Sequence, residues 1–584
     1  MSQLQTETAL ERLFEHERLA GAARWFSLPG GSHLYAAGEP SSELYLLKAG
    51  RLGAFRKEEG QERQFLGVIR PGEPAGEMAL IAGAPHSGQV VALRDSEVLA
   101  LSRDDFFAAA EADPAVMTEL AKLMILRMRQ ASGAAATHGD PTVFGFIAAD
   151  GGRRIRPIVE KIALAIARSG FSVTVVGAEA TNAPTEWFSN TEADYDYVLY
   201  AAEFGETGWK PLVGRQVDRL FRVGRGDRPP PAVMETHASE PLQEQQLVDL
   251  ILVQRADCNR PRGSAAWLDA TGAARLFHVR DGQQADIERL ARVLTGRSVG
   301  LVLSGGGARA YAHIGAIQAM RERNIPIDFV GGASMGAIIA AGVAMGWGER
   351  EMDRRIHNAF VDSSPLDDIA FPLIAMTLGE KVKHRLADHF DDVDIADLWL
   401  PFFCVSSNLT SGVYQLHRRG LLRSALRATI SLPGVMPPVT DGGDVLVDGA
   451  VMKNFPTDIM RSLHLGPVVG VDVTRGRSIG AADVARPPSV WRWILSGDWR
   501  RGPPIVALLM RTATVSTGRE ITASRQASDL LILPAVEGVD LRDWKAYEPT
   551  IALGYAAASK VLDGLHSPVT ELRRRKGASG APPP

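Results

Sequence analysis

Three short stretches of this 584-residue chain carry side chains that together could run acyl-transfer chemistry. In the first, Gly331-Gly332-Ala333-Ser334-Met335-Gly336, a serine stands in the pattern Gly332-x-Ser334-x-Gly336. Such a serine is a nucleophile when a strand enters the turn and a helix leaves it, because the sharp turn lifts its hydroxyl clear of the backbone. "IPIDFV" (325–330) ahead of it reads as a buried strand and "AIIAAGVAMGW" (337–347) behind it as a closely packed helix. The second stretch, Gly305-Gly306-Gly307, follows the apolar run "VGLVLS" and precedes a helix with Ile314, Ile317 and Met320 at three-residue steps. Backbone N–H groups without side chains can approach an oxygen closely, and a helix N-terminus favours negative charge there. The third is "VLVDGAVMKNFP" (445–456), where Asp448 ends an apolar run just before Gly449-Ala450, a carboxylate held at a turn.

Each stretch alone also has a plainer reading. Ser334 can be filler in a glycine-rich turn, and Asp-Gly is an ordinary turn dipeptide. The glycine loop would suit a dinucleotide fold if an acidic residue about 20 positions on ended a second strand. Asp328 is near that distance but lies inside the "PIDFV" run, and what ends that strand is the serine turn. This favours an oxyanion hole over a pyrophosphate cradle.

The elements around these residues divide the chain into several domains. Residues 1–130 read as a first domain, β-rich to about residue 110. "ELYLLKAGRLGAF" (43–55) reads as two strands around a hairpin turn at Ala49-Gly50, and "PAVMTELAKLMILRMRQ" (114–130) as a closing helix. Residues 131–141 read as a linker. From 142 to 295 strands and helices alternate as in a small parallel α/β domain, with "RPIVEKIALAIARSG" a helix closed by Gly170. Its first strand-to-helix loop, "AADGGRRIRP", lacks the G-x-x-x-x-G-K-[ST] spacing and reads as structural. A second α/β block occupies 296–565, with further strands at "FFCVSS", "VVGVDVT" and "LLILP". Residues 566–584 read as a disordered tail.

Composition narrows the classes. Hydrophobic residues make up 45% and charged ones 23%, as in an ordinary globular protein, and a net charge of −4 gives no electrostatic reason to expect nucleic acid. Two cysteines, Cys258 and Cys404, make no disulfide framework and point to a reducing compartment. The sequence shows neither a signal peptide nor an apolar run of about 18 residues, so the expectation is a cytoplasmic protein that meets the inner face of a membrane peripherally. "PPSVWRWILSGDWRRGPPIVALLMR" (487–511) brings Trp491, Trp493 and Trp499 close to Arg492, Arg500 and Arg501, a combination suited to a bilayer interface and equally to a packed helix and loop.

Taken together, the three stretches resemble the patatin-like phospholipases, whose signature joins a G-x-G-x-x-G loop, a G-x-S-x-G elbow and a D-G-[AG] turn. "GGGARA" (305–310) departs from it at Ala310, and "ATISLPGVMPPV" (428–439) is similar to the family's stretch ahead of the aspartate. The resemblance implies a Ser334–Asp448 dyad without a triad histidine and an oxyanion hole over Gly305, Gly306, Gly307, Ala308 and Arg309. Gly332 and Gly336 would shape the elbow and Gly449 and Ala450 the dyad turn. His313 is then a packing residue, and Arg309 steadies the loop or meets an anionic head group. "LVDLILVQ" and "LFHVRDGQQADIERLARVLTGRSVGLVLSGGGAR" look like bacterial relatives of neuropathy target esterase, which carry cyclic-nucleotide-binding-like modules ahead of a patatin domain.

"GEMALIAGAPHSGQV" (76–90) resembles the phosphate-binding cassette of such modules, matching at Gly76, Glu77, Ala79, Leu80 and Pro85. His86 stands where the cassette has its phosphate-binding arginine, and a neutral imidazole lacks both the fixed charge and the fork of donors. The expected function is a lysophospholipase or phospholipase without cofactor or metal, taking lysophospholipid or phospholipid, its first domain a scaffold rather than a cyclic-nucleotide receptor. The alternatives are an idle receptor or membrane scaffold that keeps the fold, and a carboxylesterase without lipid preference.

Overall fold

A computed structural model describes residues 24–56, 64–115, 141–232, 247–363, 374–474 and 517–573, with single residues at 117, 118, 120, 121, 124, 368 and 370. The tryptophan-rich stretch 487–511, the 131–140 linker and most of the helix expected at 114–130 lie outside the described residues. The chain divides into two compact units, one of residues 1–225, 230–251 and 271–274, the other of 226–229, 252–270 and 275–584.

The first unit opens with a β-roll of two four-stranded antiparallel sheets. Alternation buries Leu44, Leu46, Leu99 and Leu101 with Phe106 on one side of their sheet, and Leu47, Leu52, Val90 and Val98 in a second cluster. The hairpin expected around Gly50 does not form. Glu43–Ala49 pairs with Ser96–Ser102, whereas Leu52–Arg56 pairs with Gln64–Ile69 and Gln89–Ala92 in the other sheet. Gly50, at φ +93° and pressed against Ser96, carries the chain between sheets. Alternation reports which face of a strand is apolar, but not which edge finds a partner.

Next comes a parallel sheet in which Val143–Ala148 lies between Tyr197–Ala202 and Arg219–Arg225, with Val173–Val176 outside. Where a nucleotide phosphate would meet the helix Arg156–Arg168, the Glu203 carboxylate accepts the N–H groups of Ile155 and Arg156 at 3.0–3.1 Å. The protein's own anion satisfies that helix end.

The second unit is built on an eight-stranded mixed sheet. Its order is Val439–Asp441, Asp444–Asp448, Phe402–Asn408, Phe329–Ala333, Gly300–Leu303, Val468–Val471 and Leu530–Ile532, with Tyr414–His417 on the free edge of Phe402–Asn408. The five strands from Phe402–Asn408 to Leu530–Ile532 are parallel, and helices Tyr311–Glu322, Ser334–Ala344 and Tyr547–Asp563 contribute to the large apolar core.

Two expectations are corrected here. The strand ahead of the serine is Phe329–Ala333, not 325–330, so Gly331 and Gly332 sit in the sheet rather than in the turn. Asp328 just precedes it, fully buried, accepting bonds from the Arg292 guanidinium at 2.6 and 2.9 Å and from the Val299 N–H at 2.9 Å. Residues 566–573, assigned from composition to the tail, are ordered. Val569 buries into the core, Glu571 pairs with Arg297, and Arg573 donates to the Leu465 carbonyl.

Candidate active site

Strand register brings the serine and the aspartate together. Phe402–Asn408 pairs with Phe329–Ala333 up to Ala333↔Val405, and with Asp444–Asp448 from Ser406↔Asp448 onward. Tyr414–His417 holds the opposite edge of the same strand. Where the chain leaves the sheet at Ser334, Asp448 therefore takes up the vacated edge one residue further on. Ser334 Oγ donates to Asp448 Oδ2 at 2.7 Å.

Ser334 begins the helix Ser334–Ala344 with φ +51°, a left-handed conformation that costs a side-chain-bearing residue about 1–3 kcal/mol. Tertiary contacts hold it there. Its N–H donates to Thr429 Oγ1 at 2.9 Å, and the Thr429 hydroxyl donates in turn to the Val405 carbonyl. A Cβ on Gly336 would run into the carbonyls of Leu303 and Ser304, so only glycine lets the elbow lie this close to the neighbouring strand.

Asp448 is 1% exposed. Burial pushes its carboxyl up to about 7, against the opposing pull of hydrogen bonds from the Ala450 N–H (2.8 Å) and the Ser334 hydroxyl. Its own N–H donates to the Ser431 carbonyl, and its carbonyl accepts from the Ser407 hydroxyl. No histidine among the described residues is hydrogen-bonded to either side chain of the pair.

The glycine loop lies against the serine, since a Cβ on Gly305 would come within 2.9 Å of Ser334 Cβ. Its five N–H groups are not equivalent. That of Gly305 bonds to Asn454, that of Ala308 to the Leu541 carbonyl (2.9 Å) and that of Arg309 to the Gly306 carbonyl (3.1 Å). Among the described residues no acceptor engages the N–H of Gly306 or Gly307, and both glycines are partly exposed. Arg309 donates from Nε to the Val539 carbonyl at 2.7 Å, a bond that steadies the loop. Ala310 sits at φ −63°, where glycine is not needed.

His313, read as packing, does more than fill space. Burial lowers its pKa to about 4, so it is neutral, and Nε2–H donates to the Ser304 carbonyl at 2.8 Å. Thr429, Asn454 and the carbonyls of 539–541 escaped the sequence reading because a single polar side chain or a backbone carbonyl imposes no pattern on its neighbours in the chain. Thr429 and Asn454 do lie inside the stretches 428–439 and 445–456, the only signal available.

Residues 301–461 match the family model for patatin-like phospholipases, and 25–113 match that for the cyclic nucleotide-binding domain. An NTE family protein of Mycobacterium tuberculosis is 31% identical over 563 residues, covering 94% of this chain and 93% of its own. This chain belongs to the NTE family. Neuropathy target esterase sws of Drosophila melanogaster is 27% identical over 93% of this chain and 43% of its own length. Patatin-like phospholipase domain-containing protein 6 of Mus musculus is 25% identical, over 93% and 45%.

In this NTE family chain the stretch 76–90 of the β-roll holds its histidine uncharged, and Arg94 of the same region is taken up elsewhere. Gly76 has φ +84° and leads into the helix Glu77–Ala82, with Ala79 and Glu77 buried. The His86 ring is buried and stacked on Tyr35 with centroids 3.7 Å apart, and desolvation lowers its pKa below 6.5, leaving it uncharged. Arg94, a candidate substitute for the missing arginine, is committed elsewhere. It is buried against Asp218 (2.6 Å) and Glu192 of the α/β region in the same unit, and Arg51 shares Asp218 at 2.6 Å. Arg63, the other candidate, lies outside the described residues. No cluster of histidine, cysteine and acidic side chains among the described residues could hold a metal ion, and no described helix is long and apolar enough to cross a membrane.

Proposed function

We propose that this NTE family chain is a serine hydrolase of lipid acyl esters, lysophospholipase-like, working through a Ser334–Asp448 dyad. The observation that carries the reading is the 2.7 Å bond from Ser334 Oγ, on a left-handed elbow, to a buried carboxylate whose pKa stands near 7. A base poised near the working pH is half ionised and still basic enough to take a hydroxyl proton. Ser334 Oγ attacks the ester carbonyl as its proton passes to Asp448, and the carbonyl oxygen, now negative, lies toward the N–H groups of Gly306 and Gly307. Collapse of the tetrahedral adduct releases the alcohol, which takes the proton from Asp448. Water, deprotonated by the same carboxylate, then cleaves the acyl-enzyme to free fatty acid and restores Ser334. The lipid preference comes from the relatives named as patatin-like phospholipases and esterases.

The test is turnover of a lysophospholipid against a short soluble ester by wild type, Ser334→Ala and Asp448→Asn. Both variants are expected to lose about 10³-fold or more in kcat, as groups acting as a unit do. Activity within about tenfold of wild type in either folded variant rejects the dyad. Equal or faster turnover of the short ester instead supports a carboxylesterase without lipid preference.

A further inference from the structure

We infer that Asn454 is the positioning residue of the oxyanion loop: by gripping the Gly305 peptide groups it aims the Gly306 N–H at the reacting oxygen. The inference rests on the hydrolase reading above. Asn454 lies six residues beyond Asp448 on a segment that is itself anchored. The Met452 N–H donates to Ser407 Oγ at 3.0 Å, the Lys453 N–H to the Gly449 carbonyl at 2.8 Å, and Lys453 Nζ pairs with Glu520 and Asp458 at 2.7 and 2.8 Å. From there Asn454 Oδ1 accepts the Gly305 N–H at 3.1 Å while Nδ2 donates to the Gly305 carbonyl at 3.3 Å. The amide can face only this way, because turning it over would set donor against donor and acceptor against acceptor.

The consequence follows from peptide planarity. The Gly305 carbonyl and the Gly306 N–H belong to one rigid, trans peptide unit, so they point in opposite directions. Holding that carbonyl on Asn454 turns the Gly306 N–H away from Asn454 and fixes its direction. Glycines on both sides leave this peptide free to rotate, so a side chain outside the loop has to lock it. The Gly305 N–H is occupied by Oδ1 together with the Asn454 main-chain carbonyl at 3.3 Å, and among the described residues Gly306 and Gly307 are left as unengaged, partly exposed donors. One short segment thus carries both the proton acceptor and the clamp on the charge-stabilising loop. His313 works from the other side, its Nε2–H holding the Ser304 carbonyl one peptide earlier.

Asn454→Asp is the sharpest variant. It keeps size and the acceptor for the Gly305 N–H, but opposes the Gly305 carbonyl with an oxygen instead of a donor. The full-length chain would be assayed as wild type, Asn454→Asp, Asn454→Ala and Ser334→Ala. The readouts are kcat and KM on a lysophospholipid, and the affinity of an alkyl boronic acid whose tetrahedral adduct on Ser334 presents an oxygen to the loop. A catalytic group displaced by about 1 Å costs on the order of 100-fold, so kcat and boronate affinity are both expected to fall about that much while KM stays within about threefold. Loss of mere structural support would not separate kcat from KM in this way. A folded Asn454→Asp chain with kcat within about threefold of wild type, or with boronate affinity unchanged, overturns the inference. If Asn454→Ala does not fold, the isosteric Asn454→Asp chain carries the test. Absence of wild-type turnover, or its persistence in Ser334→Ala, would instead fault the hydrolase reading.

Discussion

Replacing Asp448 with asparagine is expected to make this protein more stable while removing its activity, by an amount that grows with pH. The carboxyl stands at about 7 in the folded chain, pushed up by burial, against about 3.9 in an unfolded one. A raised acid works in the opposite sense to a salt-bridged one. Below the unfolded value both states hold the proton and nothing is lost. Between about 4 and 7 the unfolded chain gives up its proton while the folded chain keeps it, so folding weakens by about 1.4 kcal/mol per pH unit. Above about 7 both are ionised and the penalty levels off near 4 kcal/mol, from about three units of difference. Asparagine carries no such charge and can still accept the Ala450 N–H through Oδ1, as Asp448 does at 2.8 Å. The stability gained over wild type should therefore rise by about 2 kcal/mol between about pH 5.5 and 8.5. Urea unfolding at several pH values, following the transition of the second unit in the full chain, reads this directly. A difference between variant and wild type that is flat with pH, or a variant less stable at pH 8.5, would show that Asp448 is not a desolvated carboxylate and would remove the basis for calling it the base.

Three further outcomes follow. The acid limb of kcat/KM should bend near pH 7 and fall tenfold per unit below it, because Asp448 must be ionised to accept the proton; a limb bending near 4 would contradict the burial argument. In the β-roll unit, Asp218→Asn should cost about 3–5 kcal/mol by leaving Arg94 buried without a full counter-charge. Burial alone would raise the Asp218 carboxyl, but Arg94 and Arg51 outweigh it and hold it low, so its contribution is present above about pH 4 and lost as pH falls through the folded value. The gap between Asp218→Asn and wild type should accordingly close in acid, as denaturation at several pH values would reveal. Calorimetry with cyclic AMP and cyclic GMP should show binding no tighter than tens of micromolar, since losing a charge-assisted pair weakens a micromolar site by about 30- to 150-fold. Low-micromolar binding of either nucleotide would show that another cation reaches the cassette.

Much of this architecture is legible in the residues themselves. Periodicity and turn chemistry locate the helices Arg156–Arg168 and Tyr311–Glu322 and the strands Phe402–Asn408 and Val468–Val471, because burial of one face is written locally in a strand or helix. Ser334, the glycine loop and Asp448 stand out for a related reason. A backbone approach that excludes a Cβ leaves glycine at a fixed offset, and such offsets survive in the sequence. Composition failed at residues 566–573, since polarity cannot show that Val569 reaches the core or that Glu571 finds Arg297.

What only the tertiary structure decided are the relations between distant segments. Strand 43–49 and strand 52–56 are neighbours in sequence yet join different sheets, because pairing is chosen by edges and not by order along the chain. Ser334 meets Asp448 because one strand, Phe402–Asn408, passes its edge from Ala333 to Asp448 within two residues, a register that no spacing encodes. Thr429 under the elbow, Asn454 on the glycine loop and Arg94 between the roll and the α/β region are each a single polar side chain. A hydrogen bond across a hundred residues imposes no period and no local composition on the chain. The sequence therefore points to Ser334, Asp448 and the glycine loop, and the packed sheet determines which backbone N–H groups of that loop are engaged among the described residues.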